Sequence, residues 1–134
     1  MNQNVMVRYG QVVGVILVVI GIGGLLLGEG HLLGALNIDA IEDILHIVSG
    51  GILAYFAFSA ARVRELRAVL IVAGILYALV GVLGWVSPTL WGVIPHAYTG
   101  VDNVFHVVLG LASIGVAASA GGQVTRATET RRVA

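Results

Sequence analysis

The chain has 134 residues, 58% hydrophobic and only 10% charged, with a mean hydropathy of +1.00. Soluble domains carry about 25% charged residues, so this composition excludes an ordinary water-soluble domain and points to the membrane class. Seven basic and seven acidic residues give a formal net charge of zero, and the lack of cysteine excludes disulfides, iron–sulfur clusters and thiolate metal sites.

In chain order, Arg8 precedes a first apolar run over residues 9–27. The run is too long for a secretory signal and lacks an A-x-A-like cleavage site, so it is expected to be a membrane span. A mildly apolar connection follows over residues 28–40, holding Glu29, His31 and Asp39. The second run covers 41–60 and opens with Glu42, Asp43 and His46. A short loop carries Arg62, Arg64 and Arg67 into a third run, 66–86. A second mild connection, 87–100, contains Trp91, His96 and Tyr98. The fourth run, 101–120, opens with Asp102, Asn103 and His106. Residues 121–134 are polar, include Arg126, Arg131 and Arg132, and are expected to form a flexible cytoplasmic tail.

Each run is close to the ~20 residues that cross a hydrocarbon core as a helix. None shows period-2 alternation, and an open sheet in lipid would leave backbone groups unpaired, so strands are not expected. The two mild connections are expected to lie along the interface as short helices or to re-enter it. With four spans, every arginine falls on one side. The positive-inside rule makes that side cytoplasmic and places both termini there. The acids that open the second and fourth spans then face outward, and Trp85, Trp91 and Tyr98 suit an outer aromatic belt.

An offset of 60 residues superposes Gly14 on Gly74, Gly21 on Gly81, Gly24 on Gly84, His46 on His106 and Gly50 on Gly110. Glu42 falls on Asp102 and Asp43 on Asn103, without a gap. The predicted fold is therefore all-α, an integral membrane four-helix bundle of two tandem pseudo-symmetric hairpins. Repeat one covers about 8–60 and repeat two about 68–120. Copies with an even number of spans point the same way, so the axis relating them runs along the membrane normal. Those eight glycines are candidate packing positions, because helices in lipid associate where small residues let backbones approach.

The repeated element reads Asp43-Ile-Leu-His46-Ile-Val-Ser-Gly50 and Asn103-Val-Phe-His106-Val-Val-Leu-Gly110. With Gly21 to Gly24, Gly81 to Gly84 and Leu32-Leu33-Gly34, it resembles the DUF4383 family of small four-helix membrane proteins of bacteria and archaea. The likeness covers nearly all of the chain except the tails, and Asp43 departs from the Asn usual in the first copy. It implies a fold and a membrane location, and no agreed activity.

Glu42 and His46 share a helix face, as do Asp102 and His106. Each histidine is expected roughly 7–8 Å below its helix start, facing the bundle interior. His46 and His106 are therefore candidate ligands for a haem b or another porphyrin pigment. Glu42, His46, Asp102 and His106 are candidate metal ligands, with the carboxylates orienting the imidazoles. A competing structural account makes the acids helix caps. His31 and His96 do not correspond in the repeat and read as surface residues. No nucleotide loop, nucleophile elbow or H-E-x-x-H is present, and the mid-membrane zone is uncharged. The leading expectation is a non-enzymatic accessory or packing subunit in a homo-oligomer or larger membrane complex. Its partners would be the bilayer and other subunits or itself, not nucleic acid. The rivals are the histidine-ligated cofactor or metal protein and an outward-facing pH or ligand sensor.

Overall fold

The structure, a computed structural model, describes residues 3–59 and 62–133, with side-chain surroundings for 3–59 and 62–120. Residues 60 and 61, at the expected arginine loop, and the side chains of Arg126, Arg131 and Arg132 lie outside the described part. The elements run α1 (Gln3–Leu27), β1 (Gly30–Leu32), β2 (Leu36–Ile38), α2 (Ala40–Phe58), α3 (Val63–Val86), a 3-10 turn (Leu90–Gly92) and α4 (Gly100–Val133). All four helices are long and apolar enough to cross a bilayer. Helix α4 continues through the polar C-terminal residues expected to form a tail.

The radial distribution of side chains is that of a lipid-embedded bundle. Val12, Val19, Leu26, Val72, Leu76, Val108 and Leu111 point outward and are exposed, while Asp39, Glu42, Asp43, Asp102 and Asn103 are buried. A helix in water would reverse this order.

Helix α1 packs on α2, and α3 on α4. Burial along α1 falls on Met6, Gly10, Gly14, Leu17, Gly21 and Gly24, a stripe at three- and four-residue steps. The candidate packing glycines lie where the paired backbones meet. A Cβ on Gly14 would stand 2.7 Å from the Ala54 nitrogen, and one on Gly50 2.7 Å from the Gly14 carbonyl. In the second hairpin a Cβ on Gly74 would stand 2.8 Å from the Gly110 carbonyl, one on Gly110 2.5 Å from the Ala78 nitrogen, and one on Gly81 2.6 Å from the Asn103 carbonyl. Gly21 similarly faces the Asp43 carbonyl. Gly24 faces the Asp43 carboxylate and Gly84 the Asn103 side chain, leaving no room for a methyl group at either position.

The hairpins meet at their arginine-bearing ends through Met6, Leu53, Ala57, Leu66, Leu70, Ala117 and Ala120. Tyr9 shares a 2.9 Å hydrogen bond with Ser113, and Arg67 Nε donates to the Ala117 carbonyl at 2.9 Å. Such cross-helix hydrogen bonds carry more of the association in lipid than they would in water, because apolar burial no longer drives it.

The connection at residues 28–40 corrects the expectation of an interfacial helix. It forms an antiparallel pair in which Gly30 faces Ile38, His31 faces Asn37 and Leu32 faces Leu36. Strands of three residues are too short to display alternation. The turn between them depends on left-handed backbone at Leu33 and Gly34, with φ of 54° and 69°. Pairing the two strands satisfies backbone groups that could not be left bare near lipid. The second connection contains only the three-residue 3-10 turn, with Trp91 at φ 57°.

Candidate functional site

The first turns of α2 and α4 and the end of β2 converge at the bundle end opposite the arginines. Asp39 caps α2, its Oδ1 accepting the Ile41 and Glu42 amides at 2.9 Å each. Thr99 caps α4, its hydroxyl accepting the Val101 amide at 3.2 Å and the Asp102 amide at 3.3 Å, and it donates to the Ala35 carbonyl of the first connection. The caps therefore come from residues just before the acids singled out in the sequence.

Those acids take other roles. Asp102 does not reach the imidazoles. Its carboxylate accepts the Asn37 amide at 3.1 Å and the Thr99 amide at 2.8 Å, anchoring β2 to α4. Asp102 is therefore not among the side chains that bring donor atoms within 4.8 Å of one another, which are Glu42, His46 and His106. Asp43 and Asn103 turn toward Gly24 and Gly84 instead of toward a histidine. Glu42 pairs across the hairpins: its Oε1 lies 3.5 Å from His106 Nε2, rather than against His46 one turn along its own helix.

Glu42, His46 and His106 come together, with one donor atom from each within 4.8 Å of the others. Two of the three donors are oriented by further bonds. Glu42 Oε2 accepts from Asn37 Nδ2 at 2.8 Å, which leaves Oε1 facing His106. His106 Nδ1 sits 2.7 Å from the Asp102 carbonyl. A carbonyl only accepts, so Nδ1 carries the proton and the Nε2 lone pair points at the cluster. His46 Nδ1 is buried with no hydrogen-bond partner.

Aromatic rings close one side. Tyr77 of α3 stacks on His46 at 6.2 Å and on His106 at 5.6 Å between centroids, and the two imidazoles stack on each other at 6.1 Å. The Tyr77 hydroxyl bonds Ser49 Oγ at 2.8 Å. Tyr98 lies 5.2 Å from His106, and burial, reinforced by the Glu42 and Asp39 carboxylates, raises its hydroxyl well above the usual phenol range, so it stays neutral. Between α1 and α4, a cavity of about 550 Å³ reaches Glu42, His46, Tyr77 and His106.

A haem does not fit between the histidines. A macrocycle held axially needs a wide slot around the midpoint of the two rings. Tyr77 occupies one flank of that midpoint and Glu42 stands against His106 Nε2 on another. A single ion needs no such slot.

Sequence reasoning misses Asn37, yet this residue joins every part of this end. Its side-chain amide donates to Asp39 Oδ2 at 2.7 Å as well as to Glu42, and its backbone amide binds Asp102. The available signal is a lone amide between Leu36 and Ile38 in a mildly apolar loop. Tyr77 escapes it too, although it is the sole hydroxyl-bearing residue in the third apolar run. His31 and His96, which read as unrelated surface residues, lie 6.3 Å apart between ring centroids, and His31 Nε2 sits 2.9 Å from the Ala97 carbonyl, joining the two connections.

Comparisons with family models, with curated proteins and with solved structures give no match.

Proposed function

We propose that this chain is a non-enzymatic, multi-pass membrane protein that binds a divalent transition-metal ion through Glu42, His46 and His106. The observation that carries the reading is the convergence of one carboxylate and two imidazoles within 4.8 Å, with Glu42 and His106 already oriented by second bonds. Orienting bonds of this kind are characteristic of metal-binding imidazoles and carboxylates. Donors about 3.3 Å apart suit a tetrahedral ion with ~2.0–2.1 Å bonds. The 3.5 Å between Glu42 and His106 is close to that spacing, and His46 offers a donor atom within 4.8 Å of both.

Charge supports the same reading. Asp39, Glu42, Asp43 and Asp102 are all buried at one end, and none pairs with an arginine among the described residues. Uncompensated buried carboxylates are costly, and a dication offsets that cost. Two imidazoles and a carboxylate suit zinc or iron(II) rather than calcium or magnesium.

The two hairpins are taken as tandem copies related by an axis along the membrane normal. The reading is supported by the recurrence, sixty residues apart, of the Gly14–Gly50 and Gly74–Gly110 approaches and of the Gly24–Asp43 and Gly84–Asn103 contacts. Kinship with the DUF4383 proteins rests on the same repeated element. The reading that both termini are cytoplasmic and that the ion lies near the outer face of the cell membrane is supported by the distribution of arginines. The accessory-subunit reading draws on small-residue faces, and those glycines are engaged within the chain. The ion-binding reading is preferred for that reason.

Titration of chelator-treated protein with cobalt(II) tests the proposal. The expected outcome is one ion per chain with a visible ligand-field band. His46→Ala, His106→Ala and Glu42→Gln should each weaken binding by at least about tenfold, since each removes a direct ligand. Absence of stoichiometric binding, or a triple variant that binds as well as the parent, rejects the assignment.

A further inference from the structure

We infer that the cavity between α1 and α4 binds a lipophilic molecule with an uncharged, oxygen-bearing six-membered ring as its head, of the isoprenoid quinone or quinol class. The inference rests on the tandem-copy reading above and is independent of any bound ion.

The two copies differ in the side chains that flank the imidazoles. Tyr77 stacks its ring on both imidazoles from the α3 side. Sixty residues earlier the chain has Leu17, a smaller side chain that lines the cavity. Tyr98 packs on His106, and its counterpart is Ile38, which also lines the cavity. Two aromatic rings thus pack on the histidine pair, Tyr77 also reaching the cavity, while the aliphatic side chains at the equivalent positions of the first copy leave space there. The cavity occupies the place that a second ring would take.

The far end differs in the same way. The Tyr77 hydroxyl meets Ser49, but the counterpart of Ser49 is Leu109, an apolar wall. The polar side chains lining the cavity, Asn37, Glu42, His46, Asp102 and His106 among them, come from β2 and the first two turns of α2 and α4, with Tyr77 of α3 beside them, and the Nδ1 of His46 is buried and unpartnered. The inner edge of a ring seated there meets hydrocarbon, the position for a tail. Val13, Ile16, Ile20 and Phe105 continue that wall. From Val13 to Leu27 the lined stretch of α1 is roughly 21 Å long. Ile16 is 49% exposed and Ile20 50%, so a tail can leave sideways into the bilayer.

Charge selects the head. The buried acids Asp39, Glu42, Asp43 and Asp102 repel a carboxylate or phosphate, which disfavours a fatty acid or an anionic phospholipid. A volume of about 550 Å³ falls within the range of small-molecule sites.

Chelator-treated protein in nanodiscs is titrated calorimetrically with a decyl-substituted benzoquinone, and with decanoate as a control of equal tail length. The expected result is saturable binding of one quinone per chain, at least tenfold tighter than decanoate. Leu17→Tyr supplies the missing ring and should lower quinone binding tenfold or more. Ile16→Trp, at a position open to lipid and able to accept bulk, should do the same. Cobalt binding by both variants should stay within twofold of the parent, which scores the ion site separately. Unsaturable partitioning, equal binding of decanoate, or unchanged affinity in both variants would show that the cavity holds bulk lipid only and would overturn the inference.

Discussion

Asn37 shows how much one short side chain can organise. Its amide bridges the α2 cap, Asp39, to the carboxylate of Glu42, while its main chain binds Asp102 at the start of α4. Hydrogen bonds to charged groups contribute about 1.5–3 kcal/mol, and a buried partner left unsatisfied costs a similar amount again. Asn37→Leu should therefore lower stability by about 2–4 kcal/mol, read from thermal unfolding in mild detergent. The same change frees Glu42 Oε2, so cobalt affinity should fall by roughly 10- to 100-fold, as is usual when an orienting partner is lost. A variant with parental cobalt affinity would mean that Asn37 orients nothing. Asp102→Asn replaces one of the two accepting oxygens by a donating NH2 that faces the Asn37 amide, and alters no proposed ligand side chain. It should affect folding more than ion binding.

Among the elements, the helical hairpins depend on contact between backbones. At Gly14, Gly50 and Gly110 the atoms facing a new methyl group are mainly backbone atoms of the partner helix, and at Gly74 the nearest is the Gly110 carbonyl, none of which can rotate away. Alanine at any of these positions should cost about 1–3 kcal/mol through forced separation of the helices. At Gly51 and Gly115 an added methyl group would meet nothing within 4 Å, so alanine there should change stability by less than about 0.5 kcal/mol. Comparing steric-trap or thermal-unfolding stabilities of the two sets checks the packing directly. Equal gains in both sets, the sign expected from alanine's higher helix propensity, would show that propensity and not interhelical approach governs these positions. Gly24 and Gly84 differ from the rest, because their neighbours are the side chains of Asp43 and Asn103. A methyl group there displaces a polar group already buried against the helix, and the two positions should be as sensitive as Gly14.

For the whole molecule, the chain is bound together at both ends. The Met6–Leu66–Ala117 cluster closes the arginine end, and the Asn37–Glu42–His106 network closes the other. Between the ends, α1 and α4 part to leave the cavity. Orientation in the bilayer is a property of this whole arrangement. The proposal that both termini are cytoplasmic predicts that a C-terminal green fluorescent protein fusion fluoresces and that a C-terminal alkaline phosphatase fusion stays inactive. An active phosphatase would invert the assignment and move the Glu42–His46–His106 cluster to the cytoplasmic face.

Composition and hydropathy sufficed for four apolar helices, because a segment in lipid must satisfy its own backbone and only a helix of this length does so alone. The packing glycines were legible for a related reason, since few residues allow helices in lipid to approach closely. That His46 and His106 meet was readable from their shared register in the two copies. Tertiary structure alone decided which acid reaches them. Glu42 and Asp102 occupy equivalent positions in the sequence, yet β2 passes beside α4 and takes the Asp102 carboxylate for its own backbone. The short β pairing, the bridging role of Asn37 and the cavity that Tyr77 helps to line were likewise hidden. Each depends on which side chains from distant segments share a neighbourhood, and local periodicity carries no information about that.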